Sequence, residues 1–151
     1  MDIHIRRGRR TDYAALAALC SWPRDEQRPQ RSLRLFRRTV SDLAYDLYVA
    51  DHLGEPVGVV AVSYVRELGL GGQRATLEEL LVHPERRGSG IGRQLLEFAL
   101  RRARRRGARR FEARPGDETA GRFLDHVGFK PSGSRYACEL AQDGRDGEGA
   151  P

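Results

Sequence analysis

The stretch that decides the fold is residues 77–96, LEELLVHPERRGSGIGRQLL. It joins an apolar strand pattern, ending at Val82, to a glycine-rich loop and then to the start of an amphipathic helix. Helix N-termini present N–H groups without intrahelical partners and carry a partial positive charge. Glycine lets a backbone approach a ligand closely and adopt positive φ angles. The stretch therefore predicts an anion site between a strand and a helix, where Arg86, Arg87 and Arg93 add charge.

The loop fits neither of two common nucleotide-binding motifs. A P-loop requires Lys followed by Ser or Thr after its last glycine, and this pair is missing. A dinucleotide fingerprint has the spacing Gly-x-Gly-x-x-Gly, whereas this loop has Gly88-x-Gly90-x-Gly92. Taken alone, the loop is compatible with a plain turn as well as with an anion site.

The rest of the chain predicts an α/β protein. Strands are expected where apolar and β-branched residues alternate or run together, at 3–7, 47–50, 57–65, 75–82, 110–113 and 134–140. Helices are expected where apolar residues recur every three or four positions, at 13–19, 32–43, 91–106 and 119–127. In the second helix the residues expected to point inward are Leu35, Phe36, Val40 and Leu43. In the third they are Ile91, Leu95, Ala99 and Ala103.

Length and composition indicate one domain at 1–140 followed by a disordered tail at 141–151, which is rich in Gly, Asp and Glu. No apolar run approaches the roughly 20 residues that cross a bilayer. The first residues lack the apolar stretch of a secretory signal, so a cytoplasmic location is expected. The two cysteines and four histidines show no ligand spacing, and no metal is expected.

The net charge of +6 leaves a nucleic-acid-binding module as an alternative. Residues 101–110 hold a cluster of arginines that is able to contact phosphates. However, the cluster has no interleaved aromatic residues for base stacking, and its helix carries an apolar stripe suited to packing on a sheet. A solvated helix face is the favoured interpretation, and nucleic acid is not the expected partner.

The chain resembles the GNAT family of N-acetyltransferases. Residues 87–92 are similar to that family's Arg/Gln-x-x-Gly-x-Gly/Ala motif, and residues 77–85 resemble its fourth strand. Residues 120–129, AGRFLDHVGF, resemble its Ala-x-x-Phe-Tyr-x-x-x-Gly-Phe helix and turn. The order of predicted elements fits the family from Ile3 to Leu140.

The resemblance implies a fold and a cofactor. The fold is a mixed sheet that splays between its fourth and fifth strands, with helices on both faces. Acetyl-CoA would be the acyl donor, its pantetheine arm bonded to exposed backbone like an added strand. Residues that match the arm-binding stretch are Leu80, Leu81 and Val82. Those that match the pyrophosphate site are Arg87, Gly88, Ser89, Gly90, Ile91 and Gly92, with Arg93 nearby. Asp117 stands where members often carry a cofactor-binding Asn.

The resemblance also implies a reaction, the direct transfer of acetyl to a primary amine of a small molecule or peptide in a ternary complex. An amine like that of lysine has a pKa near 10 and must lose a proton, usually to a carboxylate. Glu78 and Glu79 are the candidates. Adjacent strand residues face opposite sides, so one of them, preferably Glu79, is expected in the cleft. The alternative is that one faces solvent and the other pairs with an arginine. An N–H near Leu81 or Val82 would stabilise the oxyanion.

The chain departs from the family where a tyrosine usually protonates the leaving thiolate, because Leu124 stands there. Tyr136 or water is the candidate replacement. The departure leaves a second alternative open, a catalytically weak domain that binds acyl-CoA as a sensor. By analogy with the family, residues 21–31 and 131–135 would line the acceptor site, and a homodimer is possible. Trp22 is expected either to stack on the acceptor or to pack in the core.

Overall fold

The structure, a computed structural model, describes residues 2–23, 26–133 and 135–140. Its contacts divide the chain into two compact units, Met1–Gly116 and Asp117–Pro151, and each is described by itself. The first unit contains β1 (His4–Arg7), α1 (Tyr13–Leu19), α2 (Pro29–Ser41), β2 (Tyr45–His52), β3 (Glu55–Glu67), β4 (Gly72–Val82), α3 (Ile91–Arg105) and β5 (Ala108–Ala113). The second contains α4 (Glu118–His126).

The five strands form one mixed sheet in the order β1-β2-β3-β4-β5. β1 to β4 pair with one another in antiparallel order, and β5 is parallel to β4. The parallel pair is joined by α3, as a crossover between parallel strands requires. The predicted mixed sheet is therefore confirmed.

Two cores lie on opposite faces of the sheet because β3 is buried on both sides. On the face covered by α3, the helix stripe of Ile91, Leu95, Ala99 and Ala103 packs with residues such as Val60 and Val62. On the face covered by α1 and α2, Leu16 and Phe36 pack with Leu47, Val49 and Val59. These are called the α3 face and the α1–α2 face. The near-continuous apolar run of β3 is typical of a strand covered twice, and the predicted helices on both faces are confirmed.

The sheet opens between β4 and β5. Their pairing ends at Leu77 and Ala113, while β4 continues to Val82. Beyond Leu77, β4 pairs with β3 on one edge, and β5 does not reach its other edge. This is the position at which the resemblance to the GNAT family implies a splay.

The C-terminal end of α3 is tied to the sheet by a buried carboxylate. Asp46 on β2 accepts hydrogen bonds from Arg102 Nη2 at 3.0 Å and from the Tyr64 hydroxyl at 2.8 Å. The Arg106 guanidinium lies 3.9 Å from the centre of the Tyr64 ring. A buried carboxylate needs such partners to offset desolvation. Two arginines of the basic cluster are therefore used inside the fold, and the prediction that the whole cluster is a solvated face is wrong for Arg102 and Arg106.

Two apolar residues predicted to point inward from the second helix are exposed instead. Leu35 is 66% exposed and Leu43 is 82% exposed. The helix begins and ends earlier than predicted, so Leu43 lies beyond its last residue. Within the helix Phe36 is buried, and Leu35, one residue away, is turned from the core by the helical step of about 100°. The apolar face predicted for this helix is therefore wider than the face that the structure buries.

The last predicted strand is also absent. Residues 135–140 have no strand structure, and Tyr136 and Leu140 are 94% and 79% exposed. Alternating apolar residues favour a strand only when a neighbouring edge supplies hydrogen bonds and a packing surface. Ser134 and the predicted tail at 141–151 lie outside the described residues.

Candidate active site

A glycine loop joins the end of β4 to the start of α3. Gly88 and Gly90 have φ angles of +78° and +85°, in the left-handed region that glycine adopts without strain. A Cβ added at either position would meet no atom within 4 Å. Glycine is therefore required here by the path of the backbone, and open space lies in front of it.

The first turn of α3 is left without a side-chain cap. Gly90 is the N-cap residue and supplies no side chain, and the first helical bond runs from Gln94 N to Gly90 O at 3.0 Å. The Ser89 hydroxyl donates to Arg86 O instead of capping the helix. First-turn N–H groups have no intrahelical acceptor, so this end can bind an anion. Arg87 and Arg93 are exposed beside it, with Arg93 also bonded to Glu97 at 3.1 Å.

A β-bulge places Glu78 and Glu79 on the same face of the sheet. In the β3–β4 ladder Ala61 stands opposite Glu79 and Val62 opposite Leu77, so Glu78 is the extra residue. Leu77 packs on the α3 face, whereas Leu81 packs on the α1–α2 face, although an even strand would put both on one side. A bulge shifts the side-chain alternation in this way. The prediction that only one of the two glutamates faces a given cleft is therefore wrong.

Each glutamate has its own hydrogen-bond donor. The Ser63 hydroxyl donates to Glu78 Oε1 at 2.5 Å, and the Trp22 indole N–H donates to Glu79 Oε1 at 3.1 Å. Ser63 stands opposite Tyr45 in the β2–β3 ladder, which places it on the α1–α2 face. Among the described residues neither carboxylate pairs with an arginine, whereas Glu78 is exposed, as the alternative expected of one of the two.

The negative charge of this pair contributes to the raised pKa values of two neighbouring residues. Burial, followed by the charges of Glu78 and Glu79, raises the pKa of Tyr45 to about 12. Burial, followed by the charge of Glu79, raises the pKa of the Cys20 thiol to about 12. Both groups therefore stay protonated at neutral pH. Tyr45 and Ser63 belong to this site, and no motif in the sequence marks them.

Trp22 packs as well as bonds. Its ring lies 6.4 Å from that of Tyr13 and 5.9 Å from that of Phe36, measured between centroids. Both aromatic partners belong to the helices that cover this face. The sequence offered stacking on the acceptor or packing in the core, and the structure shows packing together with a bond to Glu79.

The predicted donor-binding stretch of β4 lies at the opening of the sheet. Leu80 and Val82 pack on the α3 face and Leu81 on the α1–α2 face, so their side chains serve the two cores. Their backbone pairs with residues 58–60 of β3 on one edge, and their other edge lies beyond the end of β5. The side chains anchor the strand while its backbone borders the opening.

Two predicted site residues belong to the second unit. The Asp117 carboxylate accepts a hydrogen bond from Ala120 N at 2.7 Å and caps α4. Tyr136 is almost fully exposed, and Leu124 is buried. Asp117 thus has a structural role that accounts for its presence, and the predicted roles of Asp117 and Tyr136 stay predictions.

The comparisons with known proteins agree with this architecture. The model of the acetyltransferase (GNAT) family matches residues 13–129, and members of this family use acetyl-CoA as acyl donor. A search of curated proteins finds no significant match. In the part of the chain that the structure describes, no helix is long and apolar enough to cross a membrane.

Three solved structures illustrate the likeness. A transcriptional regulator from Bacillus halodurans C-125 is 27% identical, with a TM-score of 0.82 over 92% of this chain and 100% of its own. A predicted acetyltransferase from Clostridium acetobutylicum, solved with acetyl-CoA, is 13% identical, with a TM-score of 0.77 over 92% and 97%. AAC(6')-Iy, solved with the bisubstrate analogue CoA-S-monomethyl-acetylneamine, is 17% identical, with a TM-score of 0.77 over 94% and 100%. With a family match that spans most of its length, this chain belongs to the GNAT acetyltransferase family.

Proposed function

We propose that this chain is an N-acetyltransferase that transfers the acetyl group of acetyl-CoA to a primary amine of a small molecule or peptide. The observation that carries the proposal is the carboxylate pair at the β4 bulge, which lies on the same strand as the opening of the sheet and shortly before the glycine loop. A group that accepts a proton and a group that binds an anionic donor are thus held by one strand–loop–helix unit.

The residues present fit the donor. The N–H groups from Arg87 to Gly92 suit its pyrophosphate, because open space lies in front of two left-handed glycines and no side chain caps α3. The backbone of residues 80–82 suits its amide-bearing arm, because β5 ends before it. When bound, acetyl-CoA supplies a thioester-activated acetyl group, which is chemistry that the chain's own side chains do not provide.

The chain's own part in the reaction is to take a proton and to hold the acceptor. An alkyl ammonium titrates near pH 10, so at neutral pH a base must remove its proton before it becomes a nucleophile. Glu79 is the proposed base, since Trp22 fixes one of its oxygens and no described group bonds the other. The two adjacent negative charges also attract an ammonium group. They favour a cationic amine as the acceptor.

Calorimetry with acetyl-CoA tests the donor site. We expect saturable one-site binding by the wild type and none by Gly90→Glu, which places a negative charge at the open loop. Gly54→Glu is the matched control, because Gly54 also has a positive φ, +91°, with open space around it, in the β2–β3 turn. Failure of the wild type to bind, or equal loss in both variants, would contradict the donor site.

A thiol-release assay tests the reaction. Amines from small molecules and peptides are offered with acetyl-CoA, each beside its N,N-dimethylated form, which has no N–H to replace. We expect turnover with a primary amine and none with its dimethylated form. Donor binding without turnover on any amine would instead support the acyl-CoA sensor that the missing tyrosine at position 124 suggests.

A further inference from the structure

We propose that Trp22 is a positioning residue for Glu79. Its indole N–H holds Glu79 Oε1, so that Oε2 is the oxygen that takes the proton of the acceptor ammonium. In that step an N–H bond of the ammonium breaks, its electron pair stays on nitrogen, and the carboxylate becomes a carboxylic acid. The inference rests on the proposed function, because it assigns a role within that same site.

The hydrogen bond is specific in its geometry. Trp22 Nε1 lies 3.1 Å from Glu79 Oε1, within the range of a good N–H···O bond. An indole has one N–H and accepts nothing, so its orientation has a single polar purpose. In the described part of the chain no other side chain donates to Glu79. A carboxylate held at one oxygen loses rotational freedom, which is what a proton acceptor needs.

Trp22 is itself held in place by an unusual turn. α1 ends at Leu19, and Ser21 then adopts a φ of +50°, which L-residues other than glycine rarely adopt. Trp22 N donates to Ala17 O at 3.1 Å and Ser21 N to Ala18 O at 3.4 Å, which together form a Schellman motif. This turn directs the indole into the aromatic cluster with Tyr13 and Phe36. A turn kept without glycine indicates that the position of Trp22 is overdetermined by packing.

The groups that surround Glu79 come from α1 and the turn after it, from β2 and from β4. Tyr13 and Trp22 contribute stacked rings from α1 and the turn after it. Cys20 and Tyr45 have pKa values raised to about 12 and stay protonated. Glu78, held by Ser63, is the adjacent carboxylate of the pair.

Fluorescence decides whether Trp22 reports Glu79, with no need for activity. Trp22 is the only tryptophan among the 151 residues, so the emission of the whole protein reports this one indole. We expect an acid transition in the wild type that is absent in Glu79→Gln and retained in Glu78→Gln. A transition that survives in Glu79→Gln would overturn the inference.

The pH profile of kcat/KM tests the role in the reaction. Trp22→Phe removes the N–H and keeps an aromatic ring, and 3-benzothienylalanine at position 22 removes the N–H while keeping the two-ring shape. A hydrogen bond to a carboxylate favours its charged form, so without this donor the acid limb of the profile should move to higher pH. The KM for acetyl-CoA should stay unchanged.

Ser63→Ala is the matched variant, since it removes the donor of the neighbouring carboxylate, and the acid limb should stay in place. A limb that moves with Ser63→Ala and stays with both changes at position 22 would overturn the inference and assign the base to Glu78. If no amine accepts acetyl, the proposed function fails, while fluorescence still decides whether Trp22 holds Glu79. The two failures therefore give different results.

Discussion

The glycine loop at 87–92 and the carboxylate pair at 78–79 belong to one strand–loop–helix unit, yet they are built in different ways. The loop offers backbone N–H groups, and its conformation depends on glycines that stand within it. The pair offers side chains, and its arrangement depends on a bulge and on two donors, Ser63 and Trp22, from distant parts of the chain. A site made of backbone is therefore encoded locally, whereas a site made of side chains depends on the tertiary structure.

The largest expected effect separates the two halves of the pair. Glu79→Gln keeps the shape and still accepts the Trp22 bond, but it removes the base, so kcat should fall by about 100-fold or more. The Kd for acetyl-CoA should stay within about two-fold, since binding is assigned to backbone elsewhere. Glu78→Gln should lower kcat by less than about ten-fold. Steady-state kinetics with calorimetry measures both, and a larger loss in Glu78→Gln would exchange the roles.

A smaller effect is expected from the loop, and it should appear in binding. In Gly90→Ala the added Cβ has room, but the φ of +85° is strained, at a cost of about 1 kcal/mol. If the loop changes conformation in response, the Kd for acetyl-CoA should rise about ten-fold. Gly54→Ala carries the same strain in the β2–β3 turn and should lose similar stability with an unchanged Kd. Unfolding by urea and calorimetry on both variants test the comparison, and equal changes in Kd would contradict it.

The same contrast explains how much the sequence could predict. The β3 run and the stripe of α3 follow simple periodicity, so a strand covered on both faces, a helix that packs on a sheet and the glycine loop are predictable from residue type and spacing. The mixed sheet and its opening were implied by the resemblance to the family. The bulge is not, because it arises from the pairing of β4 with β3, and no glycine or proline marks Glu78. The same-face arrangement of the glutamates and the roles of Ser63 and Tyr45 follow from that shift of one residue.

Side chains that pair over long distances were missed for a related reason. The sequence shows a cluster of arginines but not that Arg102 and Arg106 meet Asp46 and Tyr64, which lie far away along the chain. Asp117 differs from these residues, because its partner is local and it caps α4. Residue type and spacing predict what a side chain is able to do, and only its neighbours decide which of those possibilities is realised.

A modest gain in stability is expected at the turn that places Trp22. Ser21→Gly relieves a φ of +50° at the position that glycine usually occupies after a helix. The free energy of unfolding should rise by about 0.5 to 1 kcal/mol, after allowing for the greater freedom of glycine in the unfolded chain. Urea denaturation measures the gain. A loss of stability would mean that the serine side chain stabilises the fold by more than the strain costs. An unchanged kcat would show that the turn holds Trp22 in place without the strained φ angle.

The smallest effect concerns alkaline pH. Tyr45 and Cys20 ionise in the unfolded chain near their ordinary values of about 10 and 8.5, whereas in the folded protein both hold their protons to about 12. Between those limits the unfolded chain binds fewer protons than the folded one, so the free energy of unfolding must fall as the pH rises. The contribution is fully present below about pH 8 and is lost progressively towards pH 12. Tyr45→Phe removes one of the two groups without removing the ring, so its stability should decline less steeply above about pH 10, where Tyr45 begins to ionise in the unfolded chain. Urea midpoints at several pH values measure the slope. Parallel slopes for the variant and the wild type would mean that Tyr45 does not sense the carboxylate pair, and the placement of Glu78 and Glu79 on one face would then lose its support from electrostatics.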